Sequence, residues 1–292
     1  VRAALSRLLP EARLFGPLAR LAGWARPLLP TPLRRRVPSV KGARDWPAAG
    51  RSRRGILLEG CVQKALRGDT NAALARVLDR LGITVVRPEG QGCCGAVEQH
   101  LQAEEEARRR MIRNLEAWWP EVEAGAEAIV VAASACGLQV KEYGELLAGD
   151  PRWAERGRQV ATLARDPLEL LESLNLAPLG RVAGERVAFH APCTLRHGQG
   201  LAGRVERLLE RVGYRTVPVA DAHLCCGSAG TYSLLQPELS RELQRRRCDA
   251  LSAEEPDLYA TANIGCQLHL EEGLDRPVHH WIELLDRLAG AD

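Results

Sequence analysis

Eight of the nine cysteines in this 292-residue chain fall into two matched sets. The first set is Cys61, the adjacent pair Cys93–Cys94, and Cys136. The second is Cys193, the pair Cys225–Cys226, and Cys266. From single cysteine to pair is 32 residues in both sets, and from pair to last cysteine 42 residues in the first and 40 in the second. Four convergent thiolates could hold an iron–sulfur cluster, with backbone amides free to donate to the sulfurs. The glycine after each pair, Gly95 or Gly227, removes a Cβ and lets backbone approach a bulky inorganic core. Zinc also accepts four thiolates, but its structural sites usually draw on CxxC knuckles. A thiol–disulfide relay is a third option. Burial as plain apolar core suits a single cysteine but explains two matched sets poorly.

The elements that must position these thiols repeat with them. RGILLEGC ends in Cys61 and RVAFHAPC ends in Cys193. Leu74, Val77, Leu78 and Leu81 then follow a helical spacing closed by Gly82, and Val205, Leu208, Leu209 and Val212 do the same before Gly213. Short β-rich pieces come next, ITVV at 83–86 and TVPV at 216–219, followed by the Cys-Cys-Gly turns. A further helical pattern and an apolar strand lead to Cys136 and Cys266. The expected fold is therefore α/β: two duplicated βαβαβ units with parallel sheets, preceded by a basic helical arm. The expected boundaries are 1–53 for the arm and linker, 54–180 for the first unit and 181–292 for the second. In open parallel sheets the carboxyl ends of the strands form the ligand crevice. All eight cysteines are placed there.

Other residues are candidates for lesser roles. His190, His197, His223 and Asp221 flank the second set and could tune a cluster or replace a ligand. Ser134 and Asn263 could donate hydrogen bonds near the last cysteines. Cys248 lies outside the repeat, in RELQRRRC, as a small half-buried filler. GQGCCG at 90–95 matches G-x-G-x-x-G, but AHLCCG in the second half lacks its first two glycines, so a dinucleotide loop is not expected. No paired-carboxylate, nucleophile-elbow or Walker signature stands out, and no catalytic residue is assigned.

Composition narrows the class. The chain is 46% hydrophobic and 26% charged, with a net charge of +3 and only 4% aromatics. That balance permits a core and argues against a nucleic-acid partner. No apolar run reaches the ~18–20 residues of a membrane-spanning helix. An odd number of cysteines with no export signal points to a reducing compartment rather than to disulfides. The expected location is the cytoplasm, with peripheral attachment to the inner membrane an option that the Arg- and Leu-rich arm could serve.

Several blocks carry a family resemblance: LLEGCVQ (57–63), GCCGAVEQHL (92–101), NLEAWWP (114–120), ASACG (133–137), HAPCTLRHGQ (190–199), DAHLCCGSAGTYSLLQPELS (221–240), TANIGCQLHL (261–270) and VHHWIELLD (278–286). The chain resembles the cysteine-rich CCG domain found twice in heterodisulfide reductases. More narrowly, it resembles the iron-sulfur subunits of glycolate oxidase (glycolate dehydrogenase). The resemblance implies an electron-transfer subunit, with a [4Fe-4S] centre held by Cys61, Cys93, Cys94 and Cys136 and by Cys193, Cys225, Cys226 and Cys266. It implies FAD only on a partner, a flavoprotein dehydrogenase subunit that oxidises glycolate to glyoxylate, with electrons passed toward the respiratory chain. Two departures stand against the wider pattern. The first cysteine of the CxxC that closes each heterodisulfide-reductase unit is Ala133 or Asn263 here. The C-x2-C-x2-C-x3-C-P runs with which family subunits begin do not occur, so a fragment, a mis-called start or a shortened variant is expected. A heterodisulfide-reductase-like redox site and a docking scaffold are the alternatives.

Overall fold

A computed structural model describes residues 11–30, 40, 42, 45–48 and 50–288. The chain divides into two compact units, Val1–Leu170 and Leu171–Asp292. Each contains one four-stranded parallel sheet.

In the first unit a helix α1 (Ala12–Ala25) precedes β1 (Arg53–Leu57). Then come α2 (Gly68–Arg80), β2 (Ile83–Val86), α3 (Glu104–Glu123), β3 (Ile129–Val130), α4 (Ser134–Lys141) and β4 (Ala164–Arg165). The strand order is β2-β1-β3-β4. The second unit repeats the plan with β5 (Arg186–His190), α5 (Arg204–Arg211), β6 (Arg215–Thr216), α6 (Pro237–Ser252), β7 (Leu258–Thr261), α7 (Ile264–Glu271), β8 (Val278–His280) and α8 (Trp281–Leu288). Its order is β6-β5-β7-β8. In both sheets the first strand lies between the second and third, so Ile56 pairs with Val86 on one side and Ile129 on the other. Val187 likewise lies between Thr216 and Leu258.

The helical spacings read from sequence are the buried faces. Leu74, Val77 and Leu78 of α2 are fully buried, as are Val205, Leu208 and Leu209 of α5. They cover strands that are apolar on both faces, such as Ile56, Leu57, Ile129 and Val130, as parallel sheets require. Two outcomes differ from the sequence pattern. The TVPV stretch contributes only Thr216 to β6, because Pro218 has no N–H to give a ladder. Each sheet also has a fourth strand beyond the expected three. At two and three residues, β4 and β8 are shorter than any periodicity can mark.

The arm is less free than its composition suggests. α1 packs against the short helix Val62–Leu66. Arg51, Arg53 and Arg54 pair with Asp79, Glu127 and Glu121 at 3.0, 3.1 and 2.7 Å. Arg34–Arg36 lie outside the described residues. No described helix is long and apolar enough to cross a membrane.

The Cys-Cys-Gly turns depend on their glycines. Gly95 and Gly227 have φ of +91° and +92°. At both, a Cβ would press on a carbonyl of the following long helix, Ala107 at 3.1 Å and Ser240 closer still. Gly82, with φ +85°, has open space around it. Gly82→Ala should therefore cost about 1 kcal/mol of stability from backbone strain alone. Gly227→Ala should cost ~2–4 kcal/mol, because overpacking against Ser240 adds to the same strain. Denaturant unfolding of the two purified variants checks the order. Equal losses would mean that the turn relaxes away from α6.

Candidate metal centres

The parallel sheets bring each cysteine set to one edge. Cys61 follows the end of β1, Cys93–Cys94 follow β2, and Cys136 lies in the first turn of α4 after β3. Cys193, Cys225–Cys226 and Cys266 take the same places after β5, β6 and β7. All four thiols of each set converge, as the spacing requires. In the first unit the Cys61 and Cys93 sulfurs are 3.5 Å apart, and Cys94 bridges from Cys93 to Cys136. In the second, Cys193 reaches Cys225, and Cys226 bridges from Cys225 to Cys266. All eight thiols are free of disulfides.

The charge pattern is duplicated too. Cys93 is held well below the usual thiol range by hydrogen bonds from Cys61 and Cys94, helped by the Gly95 N–H at 3.5 Å. Cys225 is pulled down to about 2 by Cys193 and Cys226, helped by the Gly227 N–H at 3.3 Å. Their neighbours move the other way. Cys61 and Cys94 are pushed up by sharing hydrogen bonds with sulfur and by burial, and Cys193 and Cys226 follow suit. Cys266 falls to about 6, through Cys226 first and His190 second.

The loops entering the pairs are tied to the long helices by polar side chains that sequence reasoning did not assign. In the first unit Asn114 accepts from the Gly92 N–H at 2.8 Å and donates to the Cys93 carbonyl at 2.9 Å. Tyr143 donates to the Cys94 carbonyl at 2.8 Å, and Trp118 reaches Gln91 at 3.0 Å. In the second unit buried Arg247 does this work, donating to the carbonyls of Ala220 at 3.0 Å, Leu224 at 3.3 Å and Asp221. Asn114 stands 21 residues after Cys93 and Arg247 stands 22 after Cys225. The repeat offered this correspondence; the different side chains hid it.

The remaining candidates separate by neighbourhood. Glu98, also unassigned from sequence, is buried 3.9 Å from the Cys93 sulfur and 3.0 Å from Arg110. Burial, then the charge of Cys93, lifts its carboxyl to about 7. Asn263 caps α7, accepting from the Gly265 N–H at 2.9 Å, and Ser134 is buried at the start of α4. Asp221 serves through its carbonyl. His197 contacts the His223 carbonyl at 3.3 Å near the surface. Cys248 stands apart from the sets, buried with its sulfur 3.9 Å from the Leu270 carbonyl. His190 is buried beside the second set. Its donor atoms and the sulfurs of Cys226 and Cys266 lie within 4.8 Å of one another.

These donors fit an iron–sulfur cluster. Each unit offers four soft sulfurs in a partly dry pocket, with a glycine amide already aimed at one of them. In the second unit His190 shares a hydrogen bond with the Cys266 thiol, and its buried Nε2 has no partner among the described residues.

A family model described as "Cysteine-rich domain" matches twice, over residues 56–141 and 187–271. The chain is 46% identical over 289 residues to the glycolate oxidase iron-sulfur subunit of Escherichia coli, covering 98% of this chain and 71% of that protein. It is 28% identical over 252 residues to the probable glycolate oxidase iron-sulfur subunit of Bacillus subtilis, covering 82% of this chain and 56% of that protein. It is 28% identical over 212 residues to lactate utilization protein A of Geobacillus kaustophilus, covering 72% and 87%. With two matched cysteine-rich domains and this likeness along nearly its whole length, the chain belongs to the family of glycolate oxidase iron-sulfur subunits.

Proposed function

We propose that this chain carries electrons within a flavin-dependent 2-hydroxy-acid dehydrogenase, with glycolate as the substrate and glyoxylate as the product. Its partner is a separate flavoprotein subunit that takes two electrons from the hydroxy acid. The exit is toward the respiratory chain, from the cytoplasmic side, with peripheral contact at the inner membrane. The observation that carries the reading is the convergence of four sulfurs in each unit, beginning with Cys61 and Cys93 at 3.5 Å.

Cys61, Cys93, Cys94 and Cys136 would hold one [4Fe-4S] cluster, and Cys193, Cys225, Cys226 and Cys266 a second. When bound, such a cluster supplies reversible one-electron reduction. The protein's own residues do the rest. Gly95 and Gly227 present amide N–H groups to sulfur, which favours the more negative state. Asn114 and Arg247 hold the loops so that the pairs face the pocket. Apolar neighbours such as Ile56, Met111 and Trp118 beside the first set limit water. A heterodisulfide-type site is not favoured, since Ala133 and Asn263 stand where further thiols would be needed and Asn263 serves as a helix cap.

Two measurements test this. After anaerobic purification, Cys94→Ser and Cys226→Ser should each lose about half of the iron and acid-labile sulfide, whereas Cys248→Ser keeps all of it. Equal loss in all three variants would show that the repeat does not define the ligands. Glycolate-dependent dye reduction should require the flavoprotein partner and be absent from this chain alone. Turnover by this chain without the flavoprotein would place substrate oxidation here instead.

A further inference from the structure

The two pockets share their sulfurs but not their surroundings. Aligned on Cys61 and Cys193, RGILLEGC and RVAFHAPC place Leu58 opposite His190. Leu58 is apolar core in the first unit. His190, the last residue of β5, is 2% exposed. Its backbone carbonyl accepts from Thr261 Oγ1 at 3.0 Å, which fixes the strand end. Its Nε2 is buried with no hydrogen-bond partner among the described residues, and the imidazole's hydrogen bond is shared with the Cys266 thiol, one of the sulfurs of the second set. The imidazole shares a 4.8 Å neighbourhood with the sulfurs of Cys226 and Cys266.

We propose that His190 is a direct nitrogen ligand of the second unit's iron–sulfur centre in place of one of the four thiolates assigned above, so that this centre has mixed sulfur and imidazole ligation while the first has sulfur alone. The inference rests on the cluster reading above and goes beyond it. An imidazole is neutral where a thiolate carries charge, so a centre with nitrogen ligation accepts an electron more readily than an all-thiolate one. The two units would then be an ordered pair, with the second as the higher-potential member.

The full-length Cys94→Ser chain isolates the second centre, and the Cys226→Ser chain the first. In the Cys94→Ser background, with 15N-labelled histidine against unlabelled protein, pulsed electron paramagnetic resonance of the centre poised in its paramagnetic state should show strong coupling to a histidine nitrogen. That coupling should vanish in His190→Leu, the residue of the first unit, and in His190→Cys, which offers a thiolate instead. His190→Cys should keep its iron and titrate at a lower midpoint potential. Iron present with no strong histidine coupling, or coupling that survives both substitutions, overturns the ligand assignment and leaves the cluster reading standing. Zinc instead of iron in the Cys94→Ser chain, or no metal there while the wild type holds iron, overturns both at the second unit.

Discussion

Sulfur atoms packed against one another in a dry pocket cannot all be anions. The thiolate of one raises the cost of ionising the next, and burial raises it for every member. Among protein groups alone, each unit places the charge first on one sulfur, Cys93 or Cys225, and holds the two thiols that hydrogen-bond to it protonated, Cys61 and Cys94 or Cys193 and Cys226. In the second unit Cys266 is lowered as well, to about 6. A bound metal core would reverse the preference of all members together, and its binding would expel their protons. Backbone shape, glycine placement and loop anchoring in both units follow from the need to maintain so unfavourable a cluster of thiols.

The parallel sheet answers that need. It delivers three chain segments to one edge, and its interior strands are rigid because both faces are covered. The Cys-Cys pairs lie on loops rather than on strands, and these loops are tied down twice. Gly95 and Gly227 let the turn lie on a helix carbonyl, and a side chain from the long helix grips the preceding loop. Asn114 and Arg247 reach the same end by different chemistry. The amide both accepts and donates, whereas the guanidinium only donates and so collects three carbonyls. The duplicated units thus hold sulfur geometry in common while the shells around it diverge: Glu98 and Leu58 in one, His190 in the other.

Much of this was legible in the sequence. The eight ligand candidates, the parallel α/β units and the helix faces emerge from spacing alone, because a repeat shows its invariants by occurring twice. What escaped falls under two physical headings. Strands of two or three residues, such as β4 and β8, are defined by pairing with a neighbour and leave no periodic trace. Loop holders such as Asn114, Tyr143 and Arg247 act across 20 or more residues on backbone carbonyls, which accept from any donor. Nothing in their local sequence marks them. The arm shows the reverse case: its sequence shows only a basic, Arg-rich stretch, yet Arg51, Arg53 and Arg54 find acidic partners that only the fold brings near.

The ordering of segments around each pocket also has a kinetic consequence. Cys61 and Cys136 are 75 residues apart, and Cys193 and Cys266 are 73. Closing such loops is entropically costly, and parallel pairing is slow because crossovers must be in place before strands meet. No partial stretch of either unit contains a complete donor set. An assembly factor that met the nascent chain before the last cysteine emerged would find three of a unit's four cysteines, with only the adjacent pair close in sequence, so insertion belongs after the sheet has formed, once for each unit.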